Sequence, residues 1–298
     1  MTSKFKGIFL GITAAICYGT NPLGALSLYH EGLNTVSTVF LRYFTAVLIL
    51  GTIMVAKSEN FIITKSDIRK TTLLGTMFGL SSLTLYYSFN FMDSGLASTI
   101  LFCYPVMVSV IMTIWFKEKI TKNIFFSLVL SLTGIILLSK GGANSSVSTI
   151  GIILVLLSSL TYAIYIVLVN KAKIQLSVLK FTFFATLFSL PAFIIFSFIG
   201  GEENHLQFIF NAKVCFWGFF LGLVPTVLSL ICMNTAIKLV GSTPAAIMGS
   251  LEPVTAVLIG IFIFNELFTA KLFFGILLIL LSVILIVKNQ NATVKKKS

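Results

Sequence analysis

Water-facing side chains are what this sequence is short of. Only 9 of its 298 residues are Asp or Glu, and charged residues make up 10% of it; a soluble domain carries about 25%. So little charge cannot cover a surface exposed to water, which excludes an ordinary soluble domain. The only histidines are His30 and His205, both expected in loops, and there is no HExxH, no GxSxG and no pair of aspartates inside an apolar run. Hydrolytic and metalloprotease chemistry therefore lack their parts, and no P-loop is present to bind a nucleotide. Cys17, Cys103, Cys215 and Cys232 lie in or beside apolar stretches without a CxxC. They read as small buried hydrophobes, so neither a disulfide nor a metal or other cofactor is expected. Strict apolar/polar alternation is missing too, which argues against a lipid-facing β-barrel.

What the chain has instead is apolar length. Its residues are 57% hydrophobic and the mean hydropathy is +1.04. A helix crossing a bilayer core of about 30 Å needs roughly 20 apolar residues. Ten stretches meet that need: 7–28, 36–56, 72–91, 96–116, 123–139, 150–169, 179–199, 214–236, 243–264 and 270–287. The expected fold class is an all-α polytopic membrane protein with ten transmembrane helices. Numbering the spans alternately from an inside N-terminus puts seventeen of the 21 Lys and Arg inside and three (Lys140, Lys213, Lys271) outside, with Arg42 in a span. By the positive-inside rule both termini are cytoplasmic, in a cell (inner or plasma) membrane. The net charge of +12 thus reflects insertion into a lipid bilayer, and no nucleic-acid partner is expected. The first stretch is too long, and lacks a clear cleavage site, to be a signal peptide.

The chain also repeats itself. Ser94-Gly-Leu-Ala-Ser through Pro105 to Glu118 matches Ser242-Thr-Pro-Ala-Ala through Pro253 to Glu266, at an offset of 148 residues without a gap. Gly7, Ala14-Ala15 and Tyr18 match Gly151, Ser158-Ser159 and Tyr162, and Gly75/Gly79 match Gly218/Gly222. The offset changes between these pairs, which implies a few extra residues in the eighth span. Five spans per copy is an odd number, so the second copy must enter the membrane upside down: two five-helix inverted-topology repeats, with a binding site expected between them. The division reads as a first repeat over 1–140, a flexible Gly-Gly-Ala-Asn-Ser-Ser linker over 141–149, a second repeat over 150–290 and a basic tail over 291–298.

These paired segments resemble two EamA domains of the drug/metabolite transporter superfamily. The likeness lies in a small-residue stretch leading to a mid-helix Pro-Val (Pro105-Val106, Pro253-Val254) and then to a glutamate near the helix end (Glu118, Glu266). It covers nearly the whole chain and implies a ten-helix carrier that exports small metabolites, amino acids or toxic compounds.

Ionisable side chains inside a span cost several kcal/mol and default to functional candidates. Glu252 lies about nine residues into the ninth span, roughly 14 Å deep. Pro253 after it is expected to free the Gly249 carbonyl, so carboxylate and carbonyl together face a polar cavity. A carboxyl group out of water is a candidate proton carrier, which makes protons the candidate coupling ion. The repeat puts Tyr104 in the equivalent place on the fourth span, where a ring with a hydroxyl can stack on a substrate and bond it. Arg42, roughly 9 Å into the second span, either pairs or snorkels outward, or binds a substrate carboxylate. Tyr18 and Asn21 on the first span, Tyr87 and Asn90 on the third, Tyr162 and Tyr165 on the sixth and Asn234 on the eighth complete an amphipathic lining. Bonding between helices is the plainer role for many of them. Glu118 and Glu266 end their spans beside Lys117, Lys119 and Lys271 and are expected in solvated or interhelical ion pairs, and Asp93 and Lys238 as charges in tight turns.

The expected function is secondary-active transport, by alternating access, of small amphipathic or zwitterionic metabolites, with amino acids foremost and export the expected direction. The alternatives are a passive channel or facilitator and, with less to support it, a membrane-embedded enzyme. Nothing in the sequence fixes the oligomeric state, and a monomer suffices for the plan.

Overall fold

The computed structural model describes residues 3–92, 94–139, 148–172, 174–199, 201–264 and 269–295. Asp93, Lys140, linker residues 141–147, Lys173, Glu266 and residues 296–298 lie outside the described residues. Among those described, the protein is helical and contains no strand. The helices are α1 (Ser3–Tyr18), α2 (Asn21–His30), α3 (Thr35–Ala56), α4 (Lys65–Ser88), α5 (Ser94–Leu101), α6 (Tyr104–Phe116) and α7 (Lys122–Ser139). They continue as α8 (Thr149–Lys171), α9 (Val178–Ile199), α10 (Ala212–Gly222), α11 (Ser229–Val240), α12 (Ser242–Met248), α13 (Leu251–Phe264) and α14 (Ala270–Lys295). Among the described residues, five segments are long and apolar enough to cross a membrane: Ser3–His30, Thr35–Ala56, Thr149–Lys171, Val178–Ile199 and Ala212–Val240.

Local chemistry sets the helix ends. Asn34, Thr64 and Asn211 cap α3, α4 and α10, each side-chain oxygen accepting a backbone N–H three residues on; such a cap satisfies a donor that the helix leaves open. Lys117 ends α6 in the left-handed conformation. Two bounds differ most from expectation. α4 begins at Lys65, because Thr64 and Asp67 start the helix before the apolar run does. α14 runs on to Lys295, past the expected end at 287.

The helices carry polar residues inward and leave large apolar ones exposed, Phe9, Trp115, Ile153, Phe198 and Phe216 among them. That distribution suits lipid and not water. Packing is reciprocal between the halves: α1 lies on α11 as α8 lies on α4, α3 on α10 as α9 on α4, and α5–α6 on α8 as α12–α13 on α1. α3 pairs with α9 and α7 with α14. The Gly75/Gly79 stripe faces Ala185 and Ser189 of α9, and Gly218/Gly222 faces Leu41 and Thr45 of α3.

Candidate functional site

Three helices are interrupted near the middle of the bundle: at Gly19–Thr20 between α1 and α2, at Phe102–Cys103 between α5 and α6, and at Gly249–Ser250 between α12 and α13. Each new helix places a proline within its first turn, as Pro22, Pro105 and Pro253. A proline is well accommodated there because the first N–H groups have no helical partner anyway. The Gly249 carbonyl is not free, contrary to expectation. The Glu252 backbone N–H donates to it at 2.8 Å, because the chain crosses the interruption in tight turns that consume the acceptor.

Glu252, only 6% exposed, sits in the first turn of α13, where the positive end of the helix dipole favours a carboxylate. The Tyr104 hydroxyl donates to its Oε1 at 3.4 Å. Tyr104 packs edge-on against Tyr162 with ring centroids 4.8 Å apart, and Tyr162 stacks between Tyr18 and Tyr165 at 6.1 Å each. Two glycines permit this closeness. A Cβ on Gly249 would lie 1.7 Å from the Tyr104 hydroxyl oxygen, and one on Gly19 would lie 2.5 Å from the Glu252 carbonyl oxygen. Between these groups is a cavity of about 20 Å³, lined by Tyr18, Gly19, Asn21, Leu101, Glu252 and Pro253 among others.

Arg42 is fully buried and does not snorkel. Its Nε donates to Thr226 Oγ1 at 2.7 Å, its Nη1 to the Tyr86 hydroxyl at 3.2 Å and its Nη2 to the Pro225 carbonyl at 3.4 Å. The guanidinium carbon lies 5.5–5.6 Å from the ring centres of Tyr18, Tyr43 and Tyr86, a cation–π enclosure. Two of its acceptors come from a π-helical turn, Leu223–Leu228, that joins α10 to α11. There Thr226 Oγ1 also donates to the Leu221 carbonyl, five residues back. The widened turn presents Pro225 and Thr226 sideways to α3. Tyr86 passes its own proton to Asn21 Oδ1 at 2.8 Å, giving the chain Arg42–Tyr86–Asn21.

The second half carries a matching chain. The Tyr165 hydroxyl donates to Asn234 Oδ1 at 2.8 Å, and Asn234 Nδ2 donates to Thr182 Oγ1 at 3.2 Å.

Of the ten residues expected at a site, eight meet here: Tyr18, Asn21, Arg42, Tyr104, Tyr162, Tyr165, Asn234 and Glu252. Tyr87 and Asn90 do not. The Tyr87 hydroxyl bonds Asn204 and its ring packs on Phe196, while Asn90 donates to Thr35 at 3.0 Å. Tyr87 ties the end of α4 to the loop around residues 202–207, which also binds Asn34 and Ser37, and Asn90 ties it to the start of α3. Thr182, Pro225 and Thr226 were missed as parts of the centre. The change of repeat offset in the eighth span was the signal for the π turn.

At the end of the bundle where α6, α8 and α12 meet, a larger cavity of about 240 Å³ is lined by Ser109, Glu118, Lys119, Asn170 and Ser242 among others. Glu118 pairs there with Lys171 of α8 at 2.9 Å, not with its chain neighbours, because Lys171 also rests over the Phe116 ring. Lys238 donates to the Leu176 carbonyl at 3.2 Å. Among the described residues, no three His, Cys, Asp or Glu side chains gather to hold a metal ion.

The EamA-like transporter family matches this chain twice, over residues 5–140 and 149–288. The chain belongs to that family. An "uncharacterized transporter" of Archaeoglobus fulgidus is 27% identical over 280 residues, 91% of this chain and 94% of the relative. The Bacillus subtilis "uncharacterized transporter YvbV" is 25% identical over 238 residues, 76% of each chain. A crystal structure at 12% identity superposes with a TM-score of 0.80, covering 97% of this chain and 99% of that one; this likeness speaks for the fold alone. As an EamA-like transporter the chain is a multi-pass membrane protein, its natural partners a small molecule and lipid.

Proposed function

We propose that this EamA-like protein is a secondary-active exporter of small zwitterionic or amphipathic metabolites, amino acids foremost, and that it works by alternating access. In this reading ten spans form two inverted five-helix repeats, residues 1–140 and 150–290, joined by the linker 141–149, with both termini in the cytoplasm of a plasma-type membrane. The cargo binds where the three interrupted helices meet. The observation that carries the proposal is a buried carboxylate, Glu252, opposite a buried guanidinium, Arg42, with Tyr18 in contact with both the cavity and the cation. Buried charges in a span are costly unless used, and here they do not pair with each other. Opposite charges separated by aromatic rings suit a cargo with an ammonium, a carboxylate and an apolar body. Reciprocal packing of the halves supports an exchange of conformations between them. The small central cavity beside a larger one at the Glu118 end supports a carrier closed at its middle over an open pore.

Glu252 is placed to take up a proton in exchange for cargo. The test of the class is counterflow in proteoliposomes: preloading with unlabelled amino acid should accelerate uptake of the labelled form, with saturation. Flux that rises linearly with concentration and shows no counterflow would make the protein a channel.

A further inference from the structure

Besides Glu252, the cavity is lined by the polar side chains of Tyr18, Asn21 and Ser98. Asn21 begins α2, is 3% exposed and lines that cavity, and its Nδ2 has no hydrogen-bond partner among the described residues. A buried donor without a partner is rare and costly. Its orientation is dictated by its neighbours. The Tyr86 oxygen accepts from Arg42 Nη1, so its proton must go onward, and it goes to Asn21 Oδ1 at 2.8 Å. The amide nitrogen is thereby turned away from Tyr86. No side chain caps the start of α2, so nothing local competes for the same acceptor.

Arg42 itself does not line the cavity; Asn21 does. Consecutive hydrogen bonds polarise one another. A cation donating to Tyr86, which donates to the amide oxygen, draws electron density from the amide and strengthens Nδ2–H as a donor. The matching residue of the second half, Tyr165, has its hydroxyl bonded to Asn234, and that chain ends at the neutral Thr182.

We propose that Asn21 Nδ2 is the specificity-determining donor that reads a carboxylate oxygen on the cargo, and that Arg42 is a positioning residue acting through Tyr86. This rests on the central site proposed above, and it assigns the carboxylate of the cargo to the first half and the ammonium to Glu252.

The test uses purified full-length protein and three probes sharing an aromatic ring and an ammonium: phenylalanine, phenylalaninamide and phenethylamine. They carry a carboxylate, a neutral amide and no acceptor, and equilibrium binding is measured for each. Wild type should prefer phenylalanine to phenethylamine by about 10-fold or more, the scale of one hydrogen bond to a charged group. Asn21→Ala should bring all three within about 2-fold of one another, by the same reasoning. Asn21→Asp keeps the shape but repels a carboxylate, and should reverse the order. Tyr86→Phe, which leaves the asparagine in place, should lower the preference in part, whereas Tyr87→Phe, whose hydroxyl bonds Asn204 away from the centre, should leave it unchanged. A wild type that does not discriminate, or Asn21 variants that still prefer phenylalanine as wild type does, would overturn the proposal. Glu252→Gln separates the two ideas. If it weakens all three probes while the Asn21 variants keep wild-type discrimination, only this inference fails; if it weakens none, the central site fails.

Discussion

The two halves of the molecule build the same three-helix hydrogen-bond chain and end it differently. In one, Arg42 of α3 reaches Tyr86 of α4 and then Asn21 of α2; in the other, Thr182 of α9, Asn234 of α11 and Tyr165 of α8 stand in the corresponding places. At the helix interruptions the inequality is reversed: the first half places Tyr104 before its proline and the second places Glu252. A repeat supplies geometry twice, while charge is supplied once from each side. In the carrier proposed above, equal frames would let the halves exchange conformations, and unequal charges would give a cargo a defined orientation between them.

The comparison is broken most severely at Gly249, whose partner in the repeat is Leu101. Gly249→Leu should drive a side chain into the Tyr104 hydroxyl, 1.7 Å from where a Cβ would stand. We expect a loss at the upper end of the range for overpacking, about 3 kcal/mol, read as a collapse of the unfolding midpoint. Next come the two chain ends. Arg42→Ala strips partners from Tyr86, Thr226 and the Pro225 carbonyl and should cost about 2–4 kcal/mol. Thr182→Ala should cost about 0.6–1.7 kcal/mol, the range for hydrogen bonds between membrane helices. Equal costs in reversible unfolding would mean that the halves are alike after all. Thr226→Val keeps the shape of the π turn but removes the Arg42 Nε acceptor, for about 1 kcal/mol. Smallest is Glu118→Gln, in a pair whose side chains are 31% and 50% exposed. It should shift the midpoint by less than the equivalent of about 1 kcal/mol.

The sequence showed the centre wherever cost made it visible. Glu252, Arg42 and the tyrosines stand out because a span has no cheap place for them, and the repeat alone pairs Tyr104 with Glu252. It was silent where the information lies in backbone shape. Pro225 and Thr226 matter because a π turn aims them, and a changed offset marks extra residues without giving their direction. Thr182 is an ordinary residue made important by Asn234 on another helix. Tyr87 and Asn90 have the same chemistry but lie at the end of α4, where their partners are Asn204 of a loop and Thr35 at the start of α3. The Gly249 carbonyl was misjudged for a related reason: proline removes one donor, and the tight turn before it supplied another.

The central claim is that Glu252 couples cargo movement to protons at the meeting of the two halves. The most direct test compares wild type with Glu252→Gln in proteoliposomes, following phenylalanine flux with and without an imposed pH gradient. The account predicts gradient-stimulated flux in the wild type and flux in the variant that is low and insensitive to the gradient. Flux in Glu252→Gln that still responds to the gradient as wild type does would contradict it.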